Sequence, residues 1–251
     1  MRGTSGAAWA AFGILLFLAA WEGAHRLWGP FVMPSLGNTG GEIVRLFASG
    51  EAFPAIVATL RQSLAGFVVG ATAGVAFGVA SAHLFPLRSA LGPVAAMLLG
   101  IPPIVWVVLA LLWFGPSTIE PAFTVVMTVF PIVFGAALQG ALARDPALDE
   151  MASAYGAPRW LRLSDIIAPQ LATAVFPALA TAAAFSWKVA VMAEVLGGGS
   201  GIGGKIETAR ANLDLPETMA WIGIVLLVVL ASEAALRILF RRHASPGARP
   251  C

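Results

Sequence analysis

An all-α bundle of about six membrane-crossing helices, with a five-helix core and no separate soluble domain, is the fold the sequence predicts. Of 251 residues, 59% are hydrophobic and only 11% charged, about half the charged share of a water-soluble domain. The mean hydropathy is +0.85. The 28 charged side chains are too few to cover a surface of this size in water, and lipid is the solvent the composition fits. Six stretches reach the length of about 20 apolar residues that a crossing helix needs: Ala7–Trp28, Leu60–Ala82, Leu91–Phe114, Pro121–Leu142, Leu171–Leu196 and Trp221–Phe240.

The first stretch is the most polar at its far end, where Glu22, His25 and Arg26 crowd together. Its apolar part behind Arg2 has the look of a signal-peptide core. No small-residue cleavage site precedes a soluble domain, so it reads as a retained helix. The segment Pro30–Pro54 is too polar to cross. Its turn residues and the amphipathic stretch Glu42–Phe47 suggest an external connection carrying a short surface helix. Residues 1–58 are thus expected to hold the first crossing and this connection, 59–240 the core, and 241–251 a cytoplasmic tail.

Charge sets the orientation. With both termini in the cytoplasm, the inside segments hold Arg2, Arg88, Arg144, Arg159, Arg162, Arg237, Arg241, Arg242 and Arg249. The outside segments then hold Arg26, Arg45, Arg61, Lys205 and Arg210. The excess of basic residues inside favours this arrangement, and it places Ala143–Gln170 in the cytoplasm and Gly197–Ala220 outside.

Within the crossings, Gly66, Gly70, Gly74 and Gly78 recur every four residues and form one small-residue ridge. Such a ridge lets another helix pack closely. Pro102–Pro103, Pro131 and Pro177 interrupt three other crossings, and proline removes a backbone donor and bends a helix. Bent helices around Pro102 and Pro103 would suit a pathway. Lys188 lies in the middle of the fifth crossing, where a charge costs about 2.5–3.5 kcal/mol. Either it lines a polar pathway, drawing anions, or it snorkels or pairs with a carboxylate on another helix. Glu194 lies six residues on, toward the outer end and off the Lys188 face. Glu194 and Glu233 are the only acids expected near span interiors.

Several function classes are excluded. A net charge of +2 without a basic stripe gives no nucleic-acid surface. The single cysteine, Cys251, rules out a cysteine metal cluster, and His25, His83 and His243 near segment ends make no paired haem site, so no metal is expected. Gly199–Lys205 fits both GxGxxG and the start of a P-loop. Those motifs need a strand before and a helix after, whereas a crossing precedes, and Ile206 stands where a hydroxyl should bind magnesium. These glycines suggest an external turning loop. No HExxH, CxxC or GxSxG occurs, so no enzyme activity is expected of the chain itself.

The cytoplasmic loop Asp149–Pro169 resembles the EAA loop of ABC importer permeases, whose pattern is E-A-A, three residues, G, nine residues, I-x-L-P. Glu150, Ala152, Gly156, Ile166 and Pro169 match at the full spacing. Met151 and Ala168 replace apolar positions without changing polarity. Met33-Pro34-Ser35, Thr59–Gly78, Ile101-Pro102-Pro103, Leu112–Gly115, Trp187, Ala193-Glu194 and Gly201-Ile202-Gly203 resemble the nitrate, sulfonate and taurine branch. Carboxylates at Asp145, Asp149 and Glu150 suit a helix start, and Gly156 suits the turn after it. Trp160, Leu161 and Leu163 add apolar surface to a segment made basic by Arg159 and Arg162.

The resemblance implies a permease of the bacterial inner membrane, working as a pair of copies with two cytoplasmic ATPases and an external substrate-binding protein. It implies that the loop couples to the ATPases, that ATP and magnesium bind there and not in this chain, and that the cargo is a small anion or zwitterion. An ion-coupled secondary transporter should show related halves with matching broken helices and intramembrane carboxylates; this chain shows only Lys188 and Glu194, and no such halves. A non-transporting membrane scaffold is the other alternative.

Overall fold

The computed structural model describes residues 3–243, leaving aside the side chains of 3–7, 10, 233 and 235–243. The helices are α1 (Gly3–Trp28), α2 (Leu36–Ala48), α3 (Ala52–His83), α4 (Phe85–Gly100), α5 (Pro103–Phe114) and α6 (Ile119–Leu142). After them come α7 (Pro146–Ala154), α8 (Arg159–Arg162), α9 (Ala168–Gly197), α10 (Ile202–Ala211) and α11 (Leu215–His243). Strands are absent among the described residues. The chain is an all-α membrane protein, as its composition predicts.

Helices α3, α6, α9 and α11 are each long and apolar enough to cross a membrane, and α4 with α5 gives a fifth crossing if the bent pair is counted as one span. The sixth expected crossing, Ala7–Trp28, falls in α1, part of whose side chains lie outside the description. The tail expected at 241–251 also lies outside it beyond the end of α11 at His243.

The third expected crossing, Leu91–Phe114, is not one straight helix. It breaks between α4 and α5 with a bend of 98°. A residue before proline is pushed out of the helical region, and here two prolines follow in succession. Ile101 and Pro102 are both extended, at ψ 122° and 139°. Pro131 and Pro177, by contrast, sit inside the unbroken helices α6 and α9.

The centre of the bundle is the seam between α3 and α6. A Cβ placed on Gly66 would lie 2.6 Å from the Cβ of Val125; the same holds for Gly70 and Val129 at 3.0 Å, Gly74 and Val133 at 2.9 Å, and Gly78 and Ala137 at 2.7 Å. The offset between partners stays at 59 residues throughout, so the two helices run parallel and in register. Lipid offers apolar side chains no gain from clustering, and close packing therefore drives association. Val125, Val129 and Val133 on this seam join Ala182, Val189 and Ala190 of α9 in one buried cluster. At the C-terminal end of α6 Gly140 lies against Ala174 and Leu171, while Gly197 lies against Glu120 near its start, so α6 and α9 run antiparallel.

The connection after α1 is more embedded than a surface helix. Ser35 caps α2 by accepting from the Asn38 N–H at 3.1 Å. Leu46 is fully buried in a second cluster with Trp187, Ile202, Trp221 and Ile224. At the same end Arg45 pairs with Glu42, Glu51 and Glu217, and Lys205 with Glu51, tying α2, α3, α10 and α11 together.

A sign-opposed pair of substitutions checks the seam. Alanine in place of glycine favours a helix by about 1 kcal/mol, but overpacking a close contact costs about 1–3 kcal/mol. At Gly74 a Cβ meets the Phe130 carbonyl and the Phe134 amide at 3.0 Å, while at Gly135 it meets nothing within 4 Å. Thermal unfolding in detergent should show Gly74→Ala lowering the midpoint and Gly135→Ala leaving it unchanged or raised. Equal midpoints for the two would mean that the seam is not as tight as described.

Candidate functional site

Three features could carry function: a loop at one end of the bundle, a buried polar network at the other, and a lysine on the outer face of α9. The loop joins α6 to α9. Asp145 caps α7, its carboxylate accepting from the Ala147 N–H at 2.9 Å. The helix ends in a Schellman arrangement: the Ala157 N–H donates to the Ala152 carbonyl at 2.9 Å and the Gly156 N–H to Ser153 at 3.0 Å. That closure needs a left-handed residue, which Gly156 supplies at φ +69°.

Arg162 folds the loop back on itself. Its Nη2 and Nε donate to Asp149 Oδ1 at 2.9 and 3.1 Å, tying α8 to α7. Beyond α8 the chain makes one π-helical turn, Leu163–Ile167, before α9 begins. Pro169 cannot donate to the carbonyl four residues back. The side chain of Gln170 bridges this junction, donating to the Ile166 carbonyl at 3.0 Å and accepting from the Asp145 N–H at 2.8 Å. The end of α6 and the start of α9 are thereby clamped together.

Of the expected loop residues, Glu150, Gly156, Arg159, Trp160 and Pro169 are exposed, Ile166 is half-buried and Ala152 is buried against the loop. The loop bears an apolar outer surface. Tyr155 is 86% exposed, Trp160 69% and Leu163 59%. Tyr155 was not singled out by the sequence, although its place beside the turn glycine was a usable signal. Behind the loop a cleft of about 610 Å³ opens among Ala82, Ala141, Arg144, Glu150 and Arg162.

At the opposite end Glu194 is buried within the bundle, at 1% exposure. Its Oε2 accepts from the Thr59 hydroxyl at 2.7 Å and from the Gly203 N–H at 3.0 Å. Thr59 Oγ1 in turn accepts from the Ile202 N–H at 2.9 Å. Together they satisfy amides at the first turn of α10, which helix ends leave without partners. The expected turning loop at Gly199–Gly204 is thus corrected: only Gly198 and Gly199 turn, at φ +74° and +116°, and Gly203 and Gly204 are buried in a helix. Side chains would not fit there, because a Cβ on Gly201 or Gly203 would run into Glu194.

Glu120 is equally buried, which the sequence reading missed. A Cβ on Gly197 would lie 2.9 Å from its Oε2, so it sits one helical turn from Glu194. The buried Oε1 atoms of Glu120 and Glu194 have no hydrogen-bond partner among the described residues. The position of Glu120 beside Pro121, where a crossing begins, made it look like a boundary residue.

Lys188 lies elsewhere. Its neighbours Trp187 and Val189 are buried while Lys188 is exposed. It has no ion pair or hydrogen bond among the described residues, and the side chain of Glu233, one of the two acids expected near span interiors, lies outside them. Pro102 and Pro103 mark the break before α5, and no hydrogen bond among the described residues joins them to this network.

Known proteins place this architecture. Residues 70–249 match the family described as binding-protein-dependent transport system inner membrane component. The chain is 30% identical over 249 residues to the riboflavin transport system permease protein RibX of Chloroflexus aurantiacus, covering 94% of this chain and 92% of RibX. It is 23% identical to the taurine transport system permease protein TauC of Escherichia coli, over 74% of this chain and 68% of TauC. A chain from the crystal structure of an amino acid ABC transporter with histidines shares the fold, with a TM-score of 0.64 at 18% identity over 79% of this chain and 97% of that one. A match over residues 70–249 and a relative aligned along nearly the whole length settle the family: this chain is a multi-pass ABC transporter permease and belongs to the binding-protein-dependent transport system inner membrane components.

Proposed function

We propose that this chain forms the translocation pathway of an ATP-driven importer and takes its power stroke through the loop between α6 and α9. The observation that supports this is the combination of an exposed apolar surface with a rigid attachment. Tyr155, Trp160 and Leu163 offer the partner an apolar face. Asp149–Arg162 and the Gln170 clamp bind that face to two crossing helices. A cytoplasmic ATPase that grips the loop therefore pulls on α6 and α9 together. ATP and magnesium bind in that partner, and this chain hydrolyses nothing. The working assembly pairs two permease copies with two ATPases and an external substrate-binding protein, both termini of each copy lying in the cytoplasm. The transporter alternates between inward and outward openings as nucleotide biases one state over the other.

Gly156 gives the direct test of coupling. A β-branched side chain resists the left-handed backbone that the turn requires, whereas asparagine tolerates it. In reconstituted transporter, Gly156→Val should insert normally but lose at least roughly ten-fold in receptor-stimulated transport, the effect of about 1.4 kcal/mol in the loop conformation. Gly156→Asn should keep most of it. Full transport by Gly156→Val would remove the loop from the mechanism.

The cargo has two readings. A small anion or zwitterion of the nitrate, sulfonate or taurine kind is one, supported by the similarity to TauC and by the unpaired Lys188. A flavin is the other, supported by the greater identity and coverage of the riboflavin permease RibX. Calorimetry of the cognate binding protein with nitrate, taurine and riboflavin separates them. Taurine or nitrate binding with riboflavin ignored favours the first reading, the reverse favours the second, and silence from all three excludes both.

A further inference from the structure

Lys188 sits at membrane depth. The adjoining Val189 and Ala190 belong to the buried cluster with Val125, Val129 and Val133, in the middle stretch of α6. Gly197, the outer end of α9, is nine residues away, or about 13 Å at 1.5 Å per residue. Side chains on a helix lean toward its N-terminus, and α9 starts at the loop end. The ammonium of Lys188 is therefore directed away from the nearer membrane surface, and its four-carbon stem does not carry it out to water there. It has no partner among the described residues. A face of α9 holding such a charge against hydrocarbon is strongly disfavoured. Pro177, Thr181, Phe185, Lys188 and Leu196 share that exposed face at helical spacing.

We infer that this face of α9 lines a water-filled part of the pathway and that Lys188 supplies there an attractive field for a small anionic cargo, one bearing a carboxylate, sulfonate or similar oxyanion. The inference rests on the permease reading and deepens it. In a pair of identical copies related by a two-fold axis, the same face is presented twice, so two ammonium groups look into one cavity. An uncompensated pair of like charges in confined water raises the local concentration of anions and lowers that of cations.

A thiol placed one turn away reads this field without knowledge of the cargo. Phe185 lies three residues from Lys188 on the same exposed face, within about 5–6 Å. In the assembled transporter, Phe185→Cys is introduced with Cys251→Ser, which removes the only native cysteine. It is then treated with a negatively charged and a positively charged methanethiosulfonate reagent, each rate normalised to a free thiol. A unit charge about 6 Å away in water shifts a singly charged reagent about three-fold, in opposite senses for the two signs. The anionic reagent should therefore react roughly ten times faster. Lys188→Gln should bring the ratio close to one, and Lys188→Arg should keep it. A thiol at 185 that stays unreactive while one at Ser200 reacts would overturn the water-filled face. A ratio unchanged by Lys188→Gln would overturn the role of the ammonium. Receptor-stimulated ATP hydrolysis, followed on the Cys251→Ser parent complex, should persist; its absence there would instead tell against the permease reading.

Discussion

The close approach of α3 to α6 is the contact on which the remaining architecture depends. Four glycines let one backbone lie on the other in register along most of a membrane thickness. Because these helices run parallel, the chain between them has to return across the bundle, and α4 with α5 makes that return as a crossing bent by 98°. The seam also places Val125, Val129 and Val133 where α9 can close over them. Helix α6 is thereby held from two sides, and the loop at its end inherits a fixed base. A displacement applied at Trp160 has little slack to consume before it reaches the crossings.

The second constraint comes from the solvent. Lipid gives no hydrogen bonds, so backbone that departs from a continuous helix must find partners inside the protein. The turn after α9 exposes the amides that begin α10, and Glu194 with Thr59 answers them. A carboxylate in this setting serves architecture: it accepts two donors, fixes α10 against α3 and α9, and requires bare glycine at Gly201 and Gly203. Lys188 presents the opposite case. Among the described residues no ion pair or hydrogen bond holds it, and the proposed role in the pathway rests on that difference.

Much of this was legible in the sequence because the signals were local. The four-residue spacing of the glycines defined a helix face, and the loop motif fixed residue types at set distances from Glu150 to Pro169. The cap of α7, its left-handed end at Gly156 and the proline break at Pro102 follow from short-range chemistry. What stayed hidden was relational. That the ridge meets α6, and that Glu194 reaches Thr59 across 135 residues, depends on which helices become neighbours. Glu120 was overlooked because an acid at a span boundary reads as a surface residue until another helix end covers it. The degree of bending was likewise not given by proline alone, since Pro131 and Pro177 leave their helices unbroken.

The central claim, that the loop between α6 and α9 is where the ATPase grips this permease, can be measured by cross-linking. A cysteine replacing Trp160, in a chain whose Cys251 is serine, is paired with a short bifunctional thiol reagent in the assembled transporter. The exposed position of Trp160 on the loop should give an adduct with the ATPase subunit that blocks transport, and a cysteine at Ser200, at the opposite end, should give none. An ATPase adduct from Ser200, or none from Trp160 while the complex remains assembled, would contradict the account.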